Sequence, residues 1–206
     1  MSYPKNLILV GAGELTRAGK VPKRAALCLS ALAKIIYECV SLERTRIVCG
    51  PDVASITSAS IIRGEITRFS MAETFPNSDL INIVIDHNIL LGTDYCARGD
   101  EFDGEAYRNR LFLSQQIVAY VEKTCGEHKL DTVILVTHPF QALVTQERYA
   151  AVALEDGGQK TYGQVGPGEG IWMHKLIGTI MAVHLHDKIP ALRKTGPDKR
   201  DEHRFC

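Results

Sequence analysis

Four short strand-like runs set the strongest constraint on how this chain folds: Leu7 to Val10, Arg46 to Cys49, Leu80 to Ile85 and Thr132 to Thr137. They are rich in β-branched residues, bounded by turn formers, and continuous in their apolar character rather than alternating. A strand with one wet face alternates. A continuous run needs apolar cover on both faces, which calls for helices on both sides of a sheet. The segments between the runs supply them. Lys23 to Val40 places Ala26, Leu29, Leu32, Ala33 and Ile36 on one helical face, and Asp52 to Arg63 follows a Gly-Pro turn with Pro51 suited to a first helical turn. Glu105 to Thr124 carries Leu111, Phe112, Ile117, Val118 and Val121 and should end near Cys125-Gly126; Gln141 to Leu154 and Gly170 to His186 complete the helical set. The expected fold is a three-layer α/β/α sandwich around a mostly parallel sheet.

The 206 residues and 45% apolar content suffice for one continuous core, so residues 1–193 are expected to form a single domain, followed by a charged, mobile tail over 194–206. Lys plus Arg and Asp plus Glu both number 24, so no overall positive field draws in nucleic acid or an anionic membrane surface. No apolar run reaches the roughly 20 residues that span a bilayer. Six cysteines without a CxxC pair, and no charged then apolar leader, read as reduced thiols in a cytoplasmic protein. Two connections exceed the usual loop length, Gly92 to Gly104 and the six-glycine stretch Glu155 to Gly170, and both read as lids or interface arms.

The first strand breaks into Gly11-Ala12-Gly13, a turn that could hold a phosphate. A dinucleotide fingerprint needs a third glycine where Thr16 stands, and an acid ending a strand about 20 residues on, where the chain is still in helical pattern. A P-loop ending at Gly19-Lys20 needs glycine in place of Glu14 and Ser or Thr in place of Val21. Neither fits.

The segments NLILVGAGE, IVCGPDVASITSASII and TVILVTHP fit a third pattern, in order. Over Asn6 to Ala151 the chain resembles the histidine phosphatase superfamily, whose fold is called phosphoglycerate mutase-like. In that family the first strand ends in Arg-His-Gly-Glu, the second in Ser-Pro followed by Arg and then Thr-Ala, and a late strand ends in a second His. Gly13, Glu14, Pro51, Ala59 and Thr137-His138-Pro139 match. The resemblance puts Ala12 where the nucleophilic His belongs, Gly11 and Ala54 where two phosphate-binding Arg belong, and Asn88 near the usual acid. Only His138 persists from the charged pocket. Without the imidazole and both guanidinium groups the phosphohistidine route is closed, so the resemblance implies a pseudophosphatase kept for ligand binding or an oligomeric, interaction role. The alternative is a phosphomonoesterase or other hydrolase rebuilt around His138.

The candidate site residues follow from this reading. His138, Glu14 and His87 are the candidate catalytic groups, with His87 after Asp86 at the end of the fourth strand. Gly11, Ala12, Gly13, Arg17, Lys20, Ala54 and Thr137 are the candidate ligand contacts, the basic run Arg17, Lys20, Lys23 and Arg24 being the best source of replacement positive charge and the turn's backbone N–H groups a second source of donors. Cys49 ends a strand beside the pocket, where a helix N-terminus could activate it, though a buried inert thiol is the commoner outcome. His184 and His186, two apart on a helix, point in different directions, and Asp100 to Asp103 lacks calcium-loop spacing; no metal and no cofactor is expected. The expected partners are a small anionic or phosphorylated ligand and a second copy of the chain, with no nucleic acid and no membrane.

Overall fold

The computed structural model describes residues 3–72, 85–86, 104–153, 162–176 and 179–185. Strand β1 (Asn6–Gly11) leads through α1 (Lys23–Cys39) to β2 (Thr45–Cys49), and α2 (Val53–Met71) leads on to β3 (Ile85–Asp86). Helix α3 (Gly104–His128), β4 (Thr132–Thr137) and α4 (Pro139–Ala153) follow, and the hairpin β5 (Gly170–Leu176) and β6 (Thr179–His184) closes the described chain.

The six strands lie in the order β3-β2-β4-β1-β5-β6. Pairings among β3, β2, β4 and β1 are parallel, while β5 runs antiparallel to both its neighbours, so the sheet is mostly parallel. Successive residues of β1 face opposite ways. Leu7 and Leu9 pack with Ile117 and Val121 of α3 and Tyr149 and Ala150 of α4. Ile8 and Val10 pack with Leu29 and Leu32 of α1 and Ile62 and Ile66 of α2. Two helices on each face make the α/β/α sandwich, and they explain why β1 and β4 read as unbroken apolar runs.

Sequence and structure part at three places. Gly170 to His186, expected as a helix, is the β5–β6 hairpin. Ile171 and Met173 are buried on the α3/α4 face while Trp172 and His174 point the other way, a period of two. His184 therefore stands on a strand rather than a helix, and the helical argument about its angle to His186 falls away. Helix α2 begins at Val53 because Asp52 is its N-cap, its carboxylate accepting the Ser55 N–H at 2.8 Å; Pro51 lies before the helix rather than in its first turn. Helix α3 runs through Gly126 to His128 and stops where Lys129 takes φ 52°, with the Leu130 N–H returning to Cys125 O at 3.2 Å. The segment Leu80 to Val84, the Gly92 to Asp103 connection and the tail from Lys194 lie outside the described residues.

Candidate functional site

The register of β1 against β4 places Gly11 beside Thr137 at the carboxyl edge of the sheet. The chain leaves β1 for α1 on one face and leaves β4 for α4 on the other. Open α/β sheets receive ligands at such a switch.

Here the turn after β1 is filled from within. The Gly11 N–H donates to Glu169 O at 3.0 Å, the Ala12 N–H to Thr137 O at 2.7 Å, and the Gly13 N–H to Ser58 Oγ at 3.0 Å. All three donors that the sequence offered to an anion are spent on the protein. Ala12 is only 4% exposed and belongs to the apolar cluster under α1 and α2. Gly11 faces the carbonyl of Gly166, against which a Cβ at position 11 would collide. At Gly13 a Cβ would meet Val21 Cγ1 at 2.8 Å.

The group that closes over Gly11 is the glycine-rich arm Tyr162–Glu169. The Gly168 N–H donates to Gly11 O at 2.8 Å, and Gly168 adopts φ 78° directly over the Ala25 backbone, where a side chain has no room. Within the arm, the Gly166 N–H donates to Glu169 Oε2 and the Glu169 N–H to Gly166 O, both at 3.0 Å. At its start the buried amide of Gln146 donates to Gly163 O at 3.1 Å and accepts the Tyr162 N–H at 3.3 Å. His184 Nε2 lies 2.9 Å from Tyr162 O. The arm is thus held at both ends. Trp172 follows it in β5 and is directed into its own chain, its indole N–H donating to Asn6 Oδ1 at 3.0 Å.

Between the arm and the start of α4 lies a cavity of about 300 Å³. Glu14 and His138 line it, with Pro139, Phe140 and Leu143 on one wall and Gln164 to Pro167 on the other. His138 is half-buried just before α4, and its Nδ1 accepts the Phe140 N–H at 3.3 Å, which puts the proton of the neutral ring on Nε2. It therefore caps a helix and lines the cavity at once.

The structure brings together Glu14, His138, Gly11, Ala12, Gly13 and Thr137 at this edge. Ala54 sits in the first turn of α2, half-buried against the α1/α2 core. Arg17 and Lys20 ride on an exposed turn closed by Thr16 N–H to Lys20 O and Gly19 N–H to Thr16 O, both 2.8 Å, and they do not line the cavity. Lys23 and Arg24 are exposed at the start of α1. Cys49 is wholly buried beneath the α1/α2 face. His87, Asn88 and His186 lie outside the described residues. Burial pushes the Cys125 thiol up to about 12 and, with Glu169 nearby, raises Cys28 as well, so both remain protonated thiols near neutrality. Among the described residues no group of three or more His, Cys, Asp or Glu could hold a metal ion, and no helix is long and apolar enough to cross a membrane. Sequence reading missed the clamp at Gln146 and the anchor at Ser58; the glycine density before Ile171 was the only signal that the arm mattered.

No protein-family model matches the sequence, and no curated protein matches it. Solved structures do match. YhfR of Bacillus stearothermophilus superposes with TM-score 0.52 at 15% identity, over 87% of this chain and 95% of its own. A mycobacterial hydrolase gives 0.50 at 14% identity over 87% and 96%, and a mycobacterial glucosyl-3-phosphoglycerate phosphatase complexed with VO3 gives 0.48 at 13% over 87% and 97%. At these identities the likeness shows the fold alone, the mostly parallel α/β/α sandwich of the phosphoglycerate mutase-like kind.

Proposed function

We propose that this protein is histidine phosphatase-like, carries out no phosphohistidine chemistry and keeps its cavity to bind a small ligand. The observation that carries the reading is the filled turn: the N–H groups of Gly11, Ala12 and Gly13 all bond within the protein, and the Gly166 carbonyl stands where a side chain at position 11 would begin. Phosphoryl transfer needs an activated nucleophile among fixed cations and donors. Ala12 supplies no nucleophile, and no Lys or Arg is among the described residues lining the cavity.

Charge supports the same reading. A phosphate about 4 Å from the Glu14 carboxylate would meet a repulsion of roughly 1 to 4 kcal/mol per charge pair. The start of α4 returns about 0.3 to 1 kcal/mol to an anion, and repulsion outweighs it. For a small anionic or phosphorylated ligand, the basic run Arg17, Lys20, Lys23 and Arg24, exposed on the turn and at the start of α1, would supply the cations. A homo-oligomeric role is compatible with this reading and is tested by sedimentation.

One observation favours a second reading, a hydrolase rebuilt around His138: Glu14 and His138 line the same cavity and could serve as acid and base. Incubation with generic phosphomonoesters and with phosphoglycerate separates the two. The first reading expects no phosphate release above background, and the second expects turnover that vanishes in His138→Ala.

A further inference from the structure

We infer that the cavity selects a small organic amine, its ammonium beside the Glu14 carboxylate and its apolar body against Pro139, Phe140, Leu143, Val165 and Pro167. The inference rests on the reading that the inherited phosphate pocket is closed. Glu14 is the only acid among the described lining residues, and no Lys or Arg accompanies it. The carboxylate of Glu169, the last residue of the arm, accepts the Gly166 N–H. The Glu14 charge favours a cation.

Several main-chain donors beside the cavity are already used, although His138 and Gln164 also line it with side-chain N–H groups. Beyond the three spent N–H groups of the β1 turn, Pro139 has none at the start of α4, the Phe140 N–H goes to His138 Nδ1, and the Ala142 N–H goes to His138 O. An apolar wall with one carboxylate matches an amine carrying a ring or branched chain. A volume of about 300 Å³ lies at the small end of ligand pockets and suits a free small molecule rather than a docked chain.

The test titrates the intact protein with three ring-matched probes, phenethylamine, phenethyl alcohol and phenyl phosphate, followed by ligand-observed NMR at low and high salt, with released phosphate assayed in parallel. Phenethylamine should bind most tightly and weaken as salt rises. Glu14 is exposed, so Glu14→Gln keeps the fold, and it should lower affinity for the amine by about threefold or more while leaving the alcohol unchanged. No amine binding at about 10 mM, a smaller loss in Glu14→Gln, or phenyl phosphate binding as tightly as the amine would each overturn the inference. Phosphate released from phenyl phosphate would instead overturn the functional reading beneath it.

Discussion

Gly11 exchanges two main-chain hydrogen bonds with the arm, donating to Glu169 O at 3.0 Å and accepting from Gly168 at 2.8 Å, with the Gly166 carbonyl packed against its Cα. An arginine at this position would have to displace that arm. Gly11→Ala is therefore expected to destabilise the protein by about 1 to 3 kcal/mol, the usual range for overpacking, and Gly11→Arg by more. Urea denaturation checks both, and Gly11→Arg as stable as the natural chain would contradict the packing.

The arm depends on Gln146 as much as on Gly11. Its buried amide satisfies both Gly163 O and the Tyr162 N–H. Replacing it with leucine leaves those backbone groups without this partner, at about 1 to 3 kcal/mol each where no water reaches them. Gln146→Leu should lower stability by about 2 kcal/mol or more and speed hydrogen exchange at Tyr162.

Lys129 offers the opposite case. It takes φ 52° where α3 ends, a conformation that costs a side chain roughly 1 kcal/mol. Lys129→Gly is expected to raise stability by up to about 1 kcal/mol, after subtracting the entropy that glycine adds to the unfolded chain. A rise in melting temperature is the readout.

Stability should also fall at alkaline pH. The Cys125 thiol, ordinarily at 9.0, is pushed up to about 12, chiefly by burial. Between those values the unfolded chain loses a proton that the folded chain keeps, so this contribution is complete below pH 9 and declines as pH rises toward 12, by at most about 1.4 kcal/mol per pH unit. Burial raises Cys28 and Tyr149 too, with the same sign. Denaturation between pH 8 and about 11 should show a gentler decline in Cys125→Ala.

These outcomes bear on what the sequence could and could not reveal. Strands β1, β2 and β4 were legible because cover on both faces forces continuous apolar runs. The β5–β6 hairpin was not, because the whole of Gly170 to His186 is long enough for a helix and its period of two is masked by apolar residues on both faces: Trp172 and Val183 are half-buried opposite Ile171 and Ile180. The end of α3 was misplaced because Gly126 suggested a stop, whereas that glycine sits in open space within the helix. At the candidate site, Glu14 and His138 were named by the family resemblance, and both line the cavity. The closure of Gly11 by Gly166 could not be read in this way, since it is a meeting of two backbones far apart in sequence.

The most direct measurement of the central claim is phosphate release by the purified natural protein from generic phosphomonoesters and from phosphoglycerate, run beside His138→Ala. The account predicts no release above background from either protein. Turnover by the natural chain that disappears in His138→Ala would contradict it.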